Sequence, residues 1–432
     1  MSNASDAAGR AETGAASLMG WVLQAAAVTA PLVSVYAPLF MAPLLMIVML
    51  GIVVSAIRER RRIALRGRTL LIALGLLVLW GALSSLWSMH PTGSLTTALQ
   101  LLALFASGAV VMGGVAALDG ADAARVGRAL VIGMTVALVI YGIEITLNSP
   151  IQSMLRARGD ALESIYSPFN RGLAVMALLL PAAVLMLRRA GHGRTAIGLI
   201  AATVLVIYVY YGSSIAVAVA CAILAGTLSF VGRGAMTRLL GWIVAALILA
   251  APFVAREAIT PALQDIVGER TANISAVHRL VIWQFVGGKA LERPMRGWGL
   301  DAARSFPGGK ITVAITAPVC ASPPCGTEVE QLPLHPHNMA LQWWLELGLP
   351  GAALGAAVLF WLFHLIPRVA LDRIEQGLLV AQLTAGIVIS ALSYGAWQSW
   401  WLATITLAMG FSAIALRAVP TAVTAPQSRG MP

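Results

Sequence analysis

The chain is short of charged residues, and this shortage excludes most classes of soluble protein. Only 11% of its 432 residues are charged, whereas 59% are hydrophobic. A soluble globular domain carries about 25% charged residues, so the composition predicts an integral membrane protein. The net charge of +11 does not indicate nucleic acid as a partner. The basic residues lie in short clusters between apolar runs, which is typical of membrane proteins.

Lysine and cysteine are also scarce. Of the 29 basic residues only Lys289 and Lys310 are lysines, and arginine suits phosphate recognition because of its planar guanidinium fork. Cys221 lies in an apolar run and is interpreted as a packing residue. Cys320 and Cys325 lie in a polar segment that is predicted to face an oxidising compartment, so we expect a disulfide between them.

The first residues of the chain do not resemble a cleavable signal peptide. Residues 1–16 are polar and small, with no basic stretch that leads into a short apolar core. We therefore expect the first apolar run to remain in the membrane as a helix.

Long apolar runs are abundant, and they predict an all-α polytopic membrane protein. About 20 apolar residues are needed for a helix to cross a bilayer. Runs of this kind predict about twelve transmembrane helices, at residues 18–36, 38–57, 69–88, 95–117, 129–148, 171–187, 195–211, 214–231, 239–255, 349–366, 377–396 and 401–416. We therefore divide the chain into a membrane region of about nine helices (1–255), a large, partly helical loop (256–348), and a second membrane region of about three helices with a tail (349–432).

The arginines predict the orientation of these helices. They crowd alternate connections, above all the one that carries Arg58, Arg60, Arg61, Arg62, Arg66 and Arg68, whereas the short opposite connections near His90 and Gln398 carry none. Arginine-rich short connections stay on the cytoplasmic side. Both termini are therefore predicted to be cytoplasmic, and the large loop lies on the opposite side.

Within the large loop, one stretch has the spacing of a helix. Ile274, Val277, Val281 and Phe285 recur at helical intervals. Residues 306–330 are rich in Pro, Gly, Ser and Thr, which predicts irregular structure.

The loop closes with residues 334–351, LHPHNMALQWWLELGLPG, which carry the strongest candidates for chemistry. Asn338, Gln342 and Glu346 recur at intervals of four, so on a helix they form one polar stripe directly after His337. An imidazole can accept or donate a proton near neutral pH. The alternative is a histidine at a helix start that only satisfies backbone or lipid groups. We predict that His337 is catalytic and that the three polar residues support it.

Arginines facing the same side are candidates for binding a lipid diphosphate. Arg279 and Arg296 belong to structured stretches, and Arg171 follows Asn170 where a span begins. A guanidinium binds phosphate oxygens through paired hydrogen bonds, although such residues can also be a solvated surface near anionic headgroups. The loop has no carboxylates at the spacing of a metal site, so we expect neither a metal nor another cofactor.

These residues together resemble a known family, the bacterial O-antigen ligases within the O-antigen ligase and polymerase superfamily. The first matching stretch is H-N-x-x-L-Q-x-x-x-E-x-G-x-x-G, which starts at His337 and ends at Gly351. The second comprises Arg279, Trp283, Pro294, Gly297 and Gly299. One feature departs from the pattern: many relatives carry a Ser-Arg pair entering a middle span, whereas residues 211–215 here are Tyr-Gly-Ser-Ser-Ile.

The resemblance implies a GT-C-like glycosyltransferase of lipopolysaccharide biosynthesis in the bacterial inner membrane. Its donor would be a glycan on undecaprenyl diphosphate, and its acceptor a sugar hydroxyl of lipid A–core. Transfer would be inverting and metal-independent, at the periplasmic face among membrane lipids. For this chemistry we hypothesise that His337 is the base or orients the acceptor, and that Arg279, Arg296 and Arg171 contact the diphosphate.

Two other functions stay open at this stage. An O-antigen polymerase or a protein O-oligosaccharyltransferase would use the same donor and differ in its acceptor. A transporter of lipid-linked sugars should show charged residues at mid-membrane and repeated architecture, and the sequence has few such charges.

Overall fold

The structure is a computed structural model that describes residues 16–65, 67–156, 163–210, 213–271, 274–316 and 326–417. Helices account for most of these residues. The first eight are α1 (Leu18–Tyr36), α2 (Met41–Arg58), α3 (Arg68–Leu83), α4 (Pro91–Ala117), α5 (Gly120–Thr146), α6 (Pro150–Arg156), α7 (Glu163–Arg189) and α8 (Gly193–Val209). The others are α9 (Ser213–Ala258), α10 (Pro261–Thr271), α11 (Ile274–Glu292), α12 (Met339–Val369), α13 (Arg373–Leu392) and α14 (Ser399–Ala415).

Within the described residues, nine helical stretches are long and apolar enough to cross a membrane. They are Leu18–Tyr36, Pro38–Arg58, Arg68–Leu86, Pro91–Ala117, Gly120–Thr146, Phe169–Arg189, Ser214–Ala258, Met339–Val369 and Arg373–Leu392. Two shorter apolar helices, α8 and α14, match further predicted spans. The chain is thus a multi-pass membrane protein, and the predicted fold class is confirmed.

The helix α9 accounts for part of the difference between nine stretches and about twelve predicted spans. It covers the two predicted spans 214–231 and 239–255 in one element. The backbone is not helical at Arg233, where φ is 56° and ψ is −154°. The Ser229 and Thr237 hydroxyl oxygens lie 2.5 Å apart, whereas residues eight apart in a continuous helix are separated by about 12 Å. The chain therefore turns back at Arg233, and the two predicted spans are two helices joined by a tight turn.

The chain divides into two compact units built from segments that are distant in sequence. The first comprises Met1–Arg66, Ser107–Ala216 and Ala403–Pro432, and the second comprises Gly67–Ala106 and Val217–Leu402. In the first unit α1 packs against α5 and α7. A Cβ at Gly133 would lie 2.8 Å from the carbonyl oxygen of Val28, so glycine is what allows this close crossing.

In the second unit, α12 packs against α3, α11 and α13. Ile282 and Val286 of α11 are buried with Leu341 and Leu345 of α12 in one apolar cluster. The predicted helical stretch of the loop therefore exists and packs on the helix that carries the polar stripe. We call residues 259–338, between α9 and α12, the connecting segment.

The connecting segment also contains a β-hairpin, where the sequence predicts irregular structure. Strands β1 (Thr312–Thr316) and β2 (Gly326–Glu330) pair antiparallel, with Val313 opposite Val329. Ile315 and Val329 are buried against Val277 and Val281 of α11. The prediction of irregular structure was wrong here, because the Pro- and Gly-rich composition hid a short alternation of apolar and polar residues. Cys320 and Cys325 lie outside the described residues.

Candidate active site

The motif helix α12 is interrupted at Gly348, where φ is 65° and ψ is −161°. Pro350 has no N–H group, so the Glu346 carbonyl lacks its usual donor four residues later. The backbone of residues 293–299 fills this gap. Trp298 N donates to Leu345 O at 2.9 Å, and Gly299 N donates to Glu346 O at 2.8 Å. This turn and the kink therefore form one backbone unit.

Two glycines make the approach possible. Gly297 has a φ of 65°, and a Cβ there would lie 2.4 Å from the carbonyl oxygen of Glu346. A Cβ at Gly348 would lie 2.7 Å from the carbonyl carbon of Met295. A left-handed backbone and this proximity both require glycine. Each glycine thus faces the backbone next to the other one across the kink.

Two tryptophans hold the same junction from the side of α3. Trp80 Nε1 donates to Leu347 O at 2.9 Å, and Trp87 Nε1 donates to Arg296 O at 3.1 Å. Their rings lie 5.4 Å apart. Each indole N–H thereby satisfies a carbonyl that the kink or the turn leaves open.

The three polar residues of the stripe have different contacts. Asn338 is the N-cap of α12, and its side chain accepts a hydrogen bond from Leu341 N at 3.1 Å. Gln342 is 2% exposed. It accepts from Ala396 N at 2.8 Å and donates to Glu346 Oε1 at 3.0 Å. The stripe therefore faces the protein interior.

Glu346 is fully buried and is the centre of this network. Its Oε2 accepts hydrogen bonds from Trp397 Nε1 at 2.6 Å and from Asp301 N at 2.6 Å. With Gln342, three N–H groups donate to this carboxyl group, so both of its oxygens have hydrogen-bond partners. Glu346 thereby connects α12 to the connecting segment and to the turn before α14.

His337 has a left-handed backbone, with a φ of 51°. This conformation is uncommon for a residue other than glycine and recurs at functional sites. Its Nδ1 lies 2.7 Å from Ser393 O. A carbonyl can only accept, so Nδ1 carries the proton and Nε2 keeps a free lone pair. The arrangement defines the tautomer that a proton acceptor needs.

The turn that carries His337 is held from two sides. Trp283 Nε1 donates to Pro336 O at 3.0 Å, and His337 N donates to His335 Nδ1 at 3.2 Å. The two imidazole rings lie 4.2 Å apart. Trp283 belongs to the second matching stretch, so the two stretches meet at the histidine turn.

Both imidazoles are kept neutral by their surroundings. Burial lowers the pKa of His337 to about 4, the Ser393 carbonyl opposes this shift, and the charges of Arg279 and His278 add to it. Burial lowers the pKa of His335 to about 3, with further lowering by His337 and Arg304. At neutral pH His337 is therefore neutral, and its Nε2 can accept a proton.

Arg279 lies on α11 within electrostatic reach of His337. Its Nη1 makes one long hydrogen bond, to Ser275 O at 3.4 Å. Its Nε is buried and has no partner. Burial lowers the pKa of Arg279, and Tyr394 opposes this shift. Since a partly buried cation without a partner at Nε is unfavourable, the surroundings of Arg279 are suited to an anionic group.

The other two predicted arginines are placed differently. Arg296 lies in the turn 293–299 of the second unit, and its side chain is exposed. Arg171 lies on α7 in the first unit and is partly buried. The structure thus brings Arg279 to His337 and Arg296 to the kink. The roles of all three arginines stay predictions.

Several residues that complete the site were missed from the sequence. Ser393, Tyr394 and Trp397 come from a connection about 50 residues beyond His337, and Asp301 comes from the connecting segment. The available signal was the dense run S-Y-G-A-W-Q-S-W-W at 393–401, which places polar and aromatic residues between two apolar spans. Within the part of the chain that the structure describes, no group of three His, Cys, Asp or Glu side chains is placed to hold a metal ion.

Comparison with known proteins gives relatives but no family model that matches. The chain is 27% identical over 334 residues to the "Putative polysaccharide ligase" of Rickettsia prowazekii (strain Madrid E), which covers 75% of each chain. It is 27% identical over 340 residues to the protein of the same description in Rickettsia conorii, covering 75% of this chain and 74% of the relative. The chain is therefore a distant homologue of these Rickettsia proteins. This homology agrees with the resemblance to O-antigen ligases.

Proposed function

We propose that this chain is an O-antigen ligase that transfers a glycan from undecaprenyl diphosphate to a sugar hydroxyl of lipid A–core. The observation that carries the proposal is the pairing of His337 and Arg279. A partly buried imidazole with a fixed tautomer lies within electrostatic reach of a guanidinium whose Nε has no partner. Displacement of a diphosphate by a hydroxyl needs a proton acceptor and a cation. The homology to proteins described as polysaccharide ligases supports the same reaction class.

In the proposed step, the acceptor hydroxyl gives its proton to Nε2 of His337 as its oxygen attacks the anomeric carbon. The bond between this carbon and the diphosphate oxygen breaks, and undecaprenyl diphosphate leaves with the electron pair. Attack from the side opposite the leaving group inverts the anomeric configuration. His337 then releases its proton to water.

The low pKa of His337 fits this step once the donor is bound. A pKa of about 4 keeps the imidazole neutral but also makes it a weak base. A bound diphosphate would compensate the charge of Arg279, which is one of the causes of the lowered pKa. Nearby negative charge raises the pKa of a histidine. Donor binding would therefore raise the pKa of His337, so His337 becomes a stronger base only when substrate is bound.

Arginine takes the place of a metal in this proposal. Arg279, with Arg296 and Arg171 as further contacts, stabilises the charge that grows on the leaving diphosphate. Asn338, Gln342 and Glu346 support the site through the cap and the buried network. No cofactor takes part.

The proposed location follows from the arginine-rich connections. The protein lies in the bacterial inner membrane with both termini in the cytoplasm. The connecting segment and His337 then face the periplasm, where lipid-linked glycans and lipid A–core meet.

A reconstitution experiment tests the proposal. Purified protein is mixed with undecaprenyl-diphosphate glycan and lipid A–core, and ligated product is measured with and without chelator. We expect product in both conditions and its loss in His337→Ala, whereas His192→Ala, a change at the exposed histidine before α8, should ligate normally. Wild-type activity in His337→Ala would contradict the assigned role. Loss in chelator that Mg²⁺ restores would contradict the metal-independent step.

The same assay also identifies the acceptor. An O-antigen polymerase would join two donor glycans, and a protein O-oligosaccharyltransferase would modify a protein. Product that forms without lipid A–core would therefore identify a polymerase, with the same roles for His337 and Arg279.

A further inference from the structure

A cavity beside the His337 site lies in the same unit and has no role in the proposed transfer step. Its volume is about 360 Å³, within the range of about 300–1,000 Å³ typical of small-molecule sites. Thr96, Thr97 and Gln100 line it from α4, Asp301 and Arg304 line it from the connecting segment, and Trp397 lines it from the turn before α14.

The walls of this cavity are held by the buried Glu346. The carboxylate accepts hydrogen bonds from Asp301 N and from Trp397 Nε1, so two of the lining residues are bonded to it. Asp301 has a left-handed backbone, with a φ of 61°. Strained residues of this kind persist where the surroundings hold them. The cavity is therefore a built feature of the fold and not a gap between loops.

The lining of the cavity is polar but balanced in charge. Arg304 Nε donates to both carboxylate oxygens of Asp301, at 2.9 and 3.0 Å. The guanidinium is thus neutralised, in contrast to Arg279, which has no carboxylate partner among the described residues. A cavity of this kind favours an uncharged ligand, because an anion would have to compete with Asp301 for Arg304.

The remaining groups suit a sugar ring. The Thr97 hydroxyl is hydrogen-bonded to the Asp301 side chain. The Thr96 hydroxyl and the Gln100 amide can donate to and accept from ring hydroxyls, and a paired carboxylate and guanidinium can bind two adjacent hydroxyls. Trp397 adds an aromatic surface for the apolar face of the ring. Hydroxyl-rich and apolar surfaces on one ligand are characteristic of a pyranose.

The cavity adjoins the histidine turn. The charge of Arg304 reaches His335, and the side-chain amide of Gln398, next to Trp397, lies 3.1 Å from His335 Nε2. We propose that this cavity binds one uncharged sugar ring of a glycan substrate and thereby positions that glycan for transfer at His337. This inference rests on the proposed function, because it assumes a glycan substrate. The sugar can belong to the donor glycan or to the acceptor core, which share this chemistry.

Direct binding tests the cavity without relying on catalysis. Saturation-transfer NMR on the full-length protein would use two probes: the glycan released from the donor by mild acid, and the core oligosaccharide released from lipid A. We expect transfer to ring protons of one probe, lost in Thr96→Trp, which fills the cavity, and kept in Leu99→Ala, which alters an exposed residue of the same helix. The probe that binds identifies the source of the sugar. Transfer to neither probe, or unchanged transfer in Thr96→Trp, would overturn the proposal.

Kinetics separates this inference from the proposed function. In the ligation assay, Gln100→Leu and Thr96→Trp should raise the KM for the binding substrate by about tenfold, with little change in kcat or in the other KM. Unchanged KM values for both substrates in an active enzyme would reject the sugar site and leave the ligase assignment intact. A wild-type protein that fails to ligate would reject the ligase assignment, while the NMR result would still decide the cavity.

Discussion

His337 combines three features that a packing histidine rarely shows together. Its backbone is left-handed, its Nδ1 is committed to a carbonyl, and its neighbour Arg279 has an unsatisfied guanidinium nitrogen. The first costs free energy, the second fixes the tautomer, and the third places positive charge nearby. Together they favour a role in proton transfer over a role in capping the helix.

On the acid side, kcat and kcat/KM for ligation should decline at two different pH values. Since the pKa of His337 is lowered to about 4 in the free protein, kcat/KM should stay level as the pH falls from 7 to about 5 and decline only below that. Protonation removes the lone pair, so activity is lost on the acid side. With donor bound, the pKa rises, and kcat should decline at a higher pH than kcat/KM. If kcat and kcat/KM both declined around pH 6.5, burial would not lower the pKa of His337, which would contradict this prediction.

The activity should depend on the shape of the cationic side chain at position 279 and not only on its charge. Arg279→Lys keeps a positive charge but loses the planar fork, so we expect kcat/KM for the donor to fall by about tenfold, and further in Arg279→Gln. Arg256→Lys is the matched control, because Arg256 is an exposed arginine of the same unit paired with Glu257. Steady-state kinetics with varied donor measures the effect. Equal activity of Arg279→Lys and the wild type would argue against bidentate diphosphate contact.

At the scale of elements, the site depends on the docking of the turn 293–299 on the kink of α12. The kink removes helical hydrogen bonds, and the turn replaces them through Trp298 N and Gly299 N. The matching stretches are thus two halves of one backbone structure. This explains why glycine and proline, which are unfavourable inside helices, occur at the centre of the site.

Gly297→Ala should weaken the docking of the turn 293–299 on the kink of α12. The new Cβ would lie 2.4 Å from Glu346 O at a φ of 65°, and we expect a loss of about 1–3 kcal/mol in the free energy of unfolding. Gly288→Ala, in α11, meets nothing within 4 Å and should be neutral or slightly stabilising. Thermal unfolding in one detergent compares the two variants with the wild type. Similar melting temperatures for both alanine variants would show that the docking is looser than described.

The elements also show how far the sequence could predict the structure. Periodicity predicts the helical stretch of the connecting segment and the polar stripe of α12, because both are local patterns. The β-hairpin was hidden by turn-forming residues, although Val313, Ile315 and Val329 alternate with less apolar neighbours. Ser393 and Trp397 could not be predicted as partners of His337 and Glu346, because these contacts join residues about 50 positions apart.

For the whole molecule, the orientation predicted by the arginines must place the site on the side of the membrane where its proposed substrates lie. Short arginine-rich connections stay in the cytoplasm, and the longest connection carries His337. A donor and an acceptor that are both glycolipids would approach the site from one leaflet. The proposed function therefore requires the connecting segment and the arginine-rich connections to lie on opposite sides of the membrane.

Cysteine labelling in intact cells tests this requirement. In a background with Cys221→Ala, Cys320→Ser and Cys325→Ser, Glu292→Cys places a thiol at an exposed position at the end of α11, and Arg194→Cys places one at an exposed position in the first turn of α8. A maleimide that cannot cross the inner membrane should label the first variant in intact cells and the second only after permeabilisation. The reverse pattern would place His337 in the cytoplasm, away from the proposed periplasmic substrates. Labelling of both variants in intact cells would instead place the connection at Arg194 on the periplasmic side as well. The positive-inside argument would then fail for that connection.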